Sequence, residues 1–171
     1  MERRVRFEEL FDAAYEPLLA YARRRVGGEA EDVVAEVLLV AWRRLDDVPE
    51  DGIAWLYGVA RKVILGTRRS ARRRSALAGR LLALPEPVAA VEHDAGPVLR
   101  ALASLSEPDR EAILLVAWEG LDVRRAAQAM SCSSTAFRVR LHRARRRLRA
   151  QIDDGDEPVR APVPVTAKEG P

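Results

Sequence analysis

The stretch from Leu121 to Arg149, LDVRRAAQAMSCSSTAFRVRLHRARRRLR, constrains this chain more than any other. In its second half Phe137, Leu141, Ala144 and Leu148 recur at helical spacing and share one face of a 3.6-residue helix. Thr135, Val139, His142, Arg143, Arg146 and Ala150 fall opposite that face, with Arg138, Arg145 and Arg149 on one flank and Arg140 and Arg147 on the other. Seven Arg and no acidic residue lie between 138 and 149. A helix so charged repels itself in water, and the phosphates of a polyanion relieve that repulsion. Ser131-Cys132-Ser133-Ser134 breaks the periodicity where a helix-turn-helix needs its turn, and a serine there can cap the helix that follows. The pattern favours DNA binding over a solvated basic helix or the end of a coiled coil.

The basic character is local. Of 29 Lys and Arg, seven sit in this helix and eight in residues 61–80, a second stretch without acids, while the net charge is only +3. All but two of the 29 are Arg. The planar guanidinium fork suits phosphate and guanine, although GC-rich coding gives the same bias. A single cysteine, Cys132, excludes an intrachain disulfide framework and a Cys-rich zinc site, and with two histidines the expectation is no metal and no cofactor. No apolar run approaches the roughly 20 residues of a membrane span, and the start MERRVRFEELF lacks the apolar core of a signal peptide. The expectation is a cytoplasmic protein without membrane insertion.

The rest of the chain reads as further helices. Phe7, Leu10, Phe11, Ala14, Leu18, Tyr21 and Ala22 keep helical spacing up to Val26-Gly27-Gly28, with Pro17 marking a kink or break. In EAEDVVAEVLLVAWRRL, Val33, Val34, Val37, Leu38, Ala41, Trp42 and Leu45 point inward, and acids lead while Arg43 and Arg44 close, the order that suits the helix dipole. A third helix buries Ile53, Leu56, Tyr57, Ala60, Val63 and Ile64 and turns cationic toward Arg74. LLALPEPVAAVEHDAGP has linker composition, and its His93 reads as solvated. VLRALASL then opens a second unit, in which Ser106 and Asp109 stand at capping-box spacing and Ala112, Ile113, Val116 and Ala117 form the inward face. After Ile152 the Pro-rich polar tail holds too little apolar surface to fold. The predicted fold is all-α: helical domains over 1–80 and 98–152, the second with the helix-turn-helix, a flexible linker over 81–97 and a disordered tail over 153–171.

In this order the segments resemble the RNA polymerase sigma factors, in their short extracytoplasmic-function form with regions 2 and 4 only. AEDVVAEVLLVAWRRL is similar to the region 2 helix that docks on the clamp helices of core polymerase. AWLYGVARKVILGTRR resembles the helix that meets the minus-ten element and the melted strand, and the segment from Leu102 to Arg149 resembles region 4, which binds the minus-thirty-five element. The resemblance covers about residues 7–150.

It implies core RNA polymerase and promoter DNA as partners, with an anti-sigma factor as a further one. Major-groove reading falls to Arg138, Val139, His142 and Arg143, and phosphate contacts to Arg140 and Arg146. Arg61, Lys62, Arg68 and Arg69 are implied for the minus-ten region, and Asp32, Glu36, Leu39 and Arg43 for the polymerase. Trp42 and Trp55 are read as core. The chain departs from the family pattern at Lys62, where Asn is frequent, at Ala35, where Gln is common, at Ser131, a usual Gly position, and at Ala127, which is small for its place.

Two other classes compete. A stand-alone helix-turn-helix regulator accounts for the last 50 or so residues but leaves the acidic helix and its Arg-rich successor without a role. An enzyme lacks a convergent carboxylate, Cys/His or Gly-rich constellation. Cys132 lies among cations, which suggests redox sensing, yet a small residue filling a turn is the preferred reading.

Overall fold

The computed structural model describes residues 2–79 and 96–155, with side chains up to 73 in the first segment and 153 in the second. No strand occurs among the described residues. The amino-terminal unit consists of α1 (Glu2–Val26), α2 (Ala30–Arg43) and α3 (Gly52–Gly79), joined through short 3-10 turns at Gly27–Glu29 and Leu45–Asp47. Gly27 ends α1 at φ 59, a left-handed conformation that costs a glycine little. The acidic first turn of α2, Glu31 and Asp32, and its terminal Arg43 complement the helix dipole as the sequence suggests. Ala14, Leu18, Val33, Val37, Leu56 and Ala60 meet at the centre of the unit, each no more than 4% exposed.

Three expectations are corrected here. α1 runs through Pro17 without a break, its flanking turns held by Ala14, Leu18 and Leu19 packing against α2 and α3. Phe11 is 37% exposed and stacks on Tyr15 instead of entering the core. Trp42 is also outside, 41% exposed, edge-on to Phe7 with the Arg3 guanidinium over its ring. Its place on the inward face is taken by Ala41 and by Leu45 in the following turn. Trp55 is half-buried.

The second unit comprises α4 (Pro97–Ser104), α5 (Glu107–Ala117), α6 (Val123–Ala129) and α7 (Ser134–Gly155). The described part of the chain thus resumes at Gly96, and α4 takes in Pro97, which was read as linker. Most of the predicted linker and all of the predicted tail beyond Gly155 lie outside the described residues, as does His93. Ser106 is the N-cap of α5, but its side chain makes no capping bond. Asp109 forms an ion pair with Arg147 of α7, so the capping box does not form. On α5 Ala112 and Ile113 are buried and Val116 packs half-buried against the core as predicted, but Leu114 and Leu115 are buried as well and Ala117 is exposed.

The two units pack on each other, and their buried side chains form one continuous cluster. α6 lies against α3, where a Cβ on Gly58 would stand 3.2 Å from the carbonyl oxygen of Ala129. Glycine inside a helix costs about 0.5–1 kcal/mol relative to alanine, and this close approach accounts for it.

Beside that contact lies a buried polar cluster. Tyr21 and Tyr57 stack at 4.8 Å, and the Arg25 guanidinium covers Tyr21 at 3.5 Å from the ring centre. From the second unit, Glu111 accepts hydrogen bonds from the Tyr21 hydroxyl (2.8 Å) and from Arg25 Nε and Nη2 (2.9 and 3.1 Å). Glu119 accepts from Arg25 Nη1 at 3.0 Å and also pairs with Arg24. Burial first, then the charge of Glu111, pushes the Tyr21 hydroxyl far above its usual range, so it donates at every physiological pH. Tyr57 is pushed up to about 12 by burial and Glu119. Burial opposes the charge on Arg25, but Tyr21, Glu111 and Glu119 together raise its pKa. Removing one partner of such a buried pair typically costs about 3–5 kcal/mol, because the other charge stays buried and alone.

Candidate nucleic-acid interface

The helix-turn-helix is built by local rules. Asp122 caps α6 by accepting from the Arg125 N–H at 2.9 Å, and that bond holds its carboxyl below the usual range. At the other end Ser131 N donates to Gln128 O and Cys132 N to Ala127 O, both at 3.0 Å, the paired closure that ends many helices. Ser131 takes φ 53 at the position where glycine is usual. Ser133 caps α7 by accepting from Ala136 N at 3.1 Å. Cys132 is half-buried against the core, which supports the turn-filling reading.

The serine at 131 carries strain that a glycine relieves. A left-handed L-residue costs about 1–2 kcal/mol, partly offset by the chain entropy of glycine. Ser131→Gly is therefore expected to stabilise the fold by about 1 kcal/mol, raising Tm by roughly 2–4 °C in a thermal melt. An unchanged or lower Tm contradicts the assignment of strain.

α7 is oriented by its apolar stripe. Phe137, Leu141 and Ala144 are at most 6% exposed, and Leu148 is half-buried, against α4, α5 and α6. The opposite surface, Val139, His142, Arg143 and Arg146, is exposed as the wheel predicts, as is Arg138 on one flank, and Arg140 is half-exposed on the other. An open groove of about 580 Å³ separates this surface from the start of α5, with Ser106, Ser133, Thr135, Val139, Arg140 and Arg143 on its walls. Arg147 also borders the groove, but its pairing with Asp109 offsets its charge.

The cationic residues of α3 divide. Lys62 and Arg69 are exposed. Arg61 is half-buried and pairs with Glu107 of the second unit at 2.9 Å, while its Nε is buried without a hydrogen-bond partner. Arg68 donates to the Arg25 carbonyl at 2.8 Å, and its pKa is lowered by burial and by the nearby Arg110. The four do not form one open surface in this state.

The outer face of α2 is a third surface. Asp32, Glu36, Leu39 and Arg43 are all exposed and follow one another at helical spacing, with Leu39 at 55% and Trp42 alongside. Among the described residues no helix is long and apolar enough to cross a membrane, and no group of three or more His, Cys, Asp or Glu could hold a metal ion.

Sequence reasoning missed Tyr21, Arg25, Glu111 and Glu119 as a set. One signal existed: Glu111 lies at helical spacing from Leu114 and Leu115, a carboxylate on an apolar stripe.

A cationic helix-turn-helix joined to a second helical unit with an exposed acidic and apolar face is the arrangement of a DNA-binding protein with a protein partner. Comparison with known proteins gives the same class. The family models for Sigma-70 region 2 and Sigma-70, region 4 match residues 10–74 and 95–148. The ECF RNA polymerase sigma factor SigL of Mycobacterium tuberculosis is 33% identical over 155 residues, 85% of this chain and 88% of that protein. The ECF RNA polymerase sigma factor SigF of Caulobacter vibrioides is 33% identical over 150 residues, 81% of each chain. Among solved structures, the sigma factor RpoE in its complex with the anti-sigma factor NepR from Bartonella quintana is 25% identical. It covers 86% of this chain and 96% of that one, with a TM-score of 0.62. CnrH, in complex with the cytosolic domain of CnrY, is 26% identical and covers 86% and 88%, with a TM-score of 0.60.

The chain belongs to the sigma-70 family of RNA polymerase sigma factors, in its extracytoplasmic-function group. It is a transcription initiation factor that directs promoter transcription by RNA polymerase.

Proposed function

We propose that this chain divides promoter recognition among its three exposed surfaces. The face of α2 carrying Asp32, Glu36, Leu39 and Arg43 docks on core polymerase, with Trp42 adding apolar contact area at its edge. On α3, Lys62 and Arg69, joined by Arg61 and Arg68 once these are released, hold the backbone of the melted minus-ten strand, a task for cations lining a single strand. Lys62, standing where the family often has Asn, makes a phosphate contact there. On α7, Arg138, Val139, His142 and Arg143 face base edges of the minus-thirty-five duplex, and Arg140 and Arg146 its phosphates. The domain boundaries follow the same division, 1–80 for core and minus-ten binding and 98–152 for minus-thirty-five binding. The chain performs no catalysis of its own and works in the cytoplasm. The relative RpoE is held by an anti-sigma factor, which supports such a partner for this chain too.

The observation that carries this reading is the outer face of α2, exposed and amphipathic although the opposite face of the same helix is fully buried. A stand-alone regulator has no use for it. Pull-down of core polymerase by the tagged chain tests the reading. Core is expected to be retained by the wild type and lost when Leu39 is replaced by Arg. Equal retention by both proteins overturns the assignment of this face.

A further inference from the structure

Beside the groove of about 580 Å³ between α7 and the start of α5 lies a smaller concavity of about 230 Å³, lined by Arg143, Arg146 and Arg147. Arg143 and Arg147 border both. Three guanidinium groups thus converge on one hollow, and of the three only Arg147 meets a carboxylate among the described residues. Planar, permanently charged forks of this kind bond phosphate oxygens bidentately.

The carboxylate is that of Asp109, whose side chain is 10% exposed where that of Arg147 is 63% exposed. A buried negative charge at the rim of a surface that meets phosphates opposes binding unless it serves another purpose. As the third residue of α5, Asp109 has a local use available, reaching back to the open end of its own helix. That end is left without a side-chain cap, and Asp109 accepts from Arg147 Nη1 instead. The pair offsets the charge of Arg147 at a distance, yet it fixes one nitrogen and leaves most of the five-donor fork on the open side. An exposed Arg otherwise samples many rotamers, and Asp109 selects one.

The position along α7 suits the backbone rather than the bases. Arg147 lies about 20 Å from Ser134 at 1.5 Å per residue, and the major groove is about 12 Å wide. With the start of α7 at the base edges, Arg147 stands level with the strand that borders the groove, where the far ends of recognition helices meet the backbone. Arg143, shared by both concavities, marks the boundary between the two kinds of contact.

We infer that Arg143, Arg146 and Arg147 seat a backbone phosphate of the minus-thirty-five duplex, and that Asp109 is the positioning residue that aims Arg147 at it. The inference rests on the reading that α7 faces that duplex, and it adds to the interface a residue of α5, outside the helix-turn-helix. Phosphate contacts fix register and orientation without reading sequence, so Asp109 helps to set where the bases fall against Arg138 and His142.

Equilibrium binding of the reconstituted holoenzyme to a promoter fragment over a salt series tests this. Arg147→Ala should flatten the slope of log K against log salt by about 0.9, the value of one phosphate contact, and cost roughly threefold to tenfold in affinity at low salt. The loss should be the same on matched and mismatched minus-thirty-five sequences. Arg147→Lys keeps the charge without the fork, and should keep the slope while losing part of the affinity. Asp109→Asn separates charge from position: removal of a negative charge alone tightens binding, whereas loss of the aimed fork loosens it. The expected result is a loss of about threefold in the parent background, and unchanged or tighter binding where Arg147 is already replaced by Ala. Thermal melts control for the fold, and Arg147→Ala removes an exposed side chain, so its slope reads the contact even where Asp109→Asn lowers Tm. An unchanged slope in Arg147→Ala, a loss confined to one minus-thirty-five sequence, or an Asp109→Asn holoenzyme that binds as tightly as the parent overturns the inference. A parent chain that binds the fragment equally well without core counts against the sigma-factor reading instead, while the slopes still decide the phosphate seat.

Discussion

Replacing Asp32 and Glu36 together by Lys is expected to lower the affinity for core polymerase at least about hundredfold while leaving the fold intact. Both side chains are exposed on the outer face of α2, one turn apart, and neither takes part in the core of the unit. On a partner surface complementary to acids, as proposed for this face, charge reversal replaces attraction with the juxtaposition of like charges. Such juxtaposition costs several kcal/mol, and each 1.4 kcal/mol or so is a factor of ten in binding. The measurement is equilibrium binding to core at two salt concentrations, with a thermal melt as control. Full affinity in a folded double variant would remove this face from the polymerase contact. DNA binding by α7 in the free chain should not change, since the two surfaces lie on different units.

The second large effect is expected at Arg138. Its side chain is exposed on the outward flank of α7, near the turn where recognition helices enter the major groove. A bidentate Arg–guanine pair carries about 1–3 kcal/mol of discrimination. Arg138→Ala should therefore reduce transcription from promoters with the preferred minus-thirty-five sequence by roughly tenfold to a hundredfold, and from mismatched promoters far less. Equal loss on every sequence would make Arg138 a phosphate contact, in the company of Arg140 and Arg146.

The residues differ in how readily their roles can be read. The stripe of Phe137, Leu141, Ala144 and Leu148 fixes which side of α7 is outward, because helical periodicity depends on the chain alone, and the structure keeps that assignment. Ser131 and Ser133 are legible for the same reason: a left-handed turn and a cap are settled within a few residues. Trp42 and Phe11 were misplaced because a wheel gives only an angle. Which residues at its edge are buried depends on the width of the neighbouring helices, and Ala41 with Leu45 already fills the space inside. Asp109 stands at capping-box spacing, but a cation 38 residues away competes for it and wins. Arg25 looks like an ordinary basic residue at a helix end, and only tertiary packing brings Glu111 and Glu119, more than 80 residues further along, onto it. The contact between the units was illegible for that reason. Reading each unit's own periodicity describes two domains and is silent about the surface they share.

The central claim, that this chain gives core polymerase its choice of promoter, is tested most directly by transcription in vitro with purified core on a genomic promoter library. The expected result is a restricted set of transcripts that requires both the chain and core. Their start sites should share a pair of upstream elements, and dependence on the more distant element should weaken with Arg138→Ala. Tight, autonomous operator binding by the chain without core association or stimulated transcription would contradict the account and make the protein a free-standing regulator.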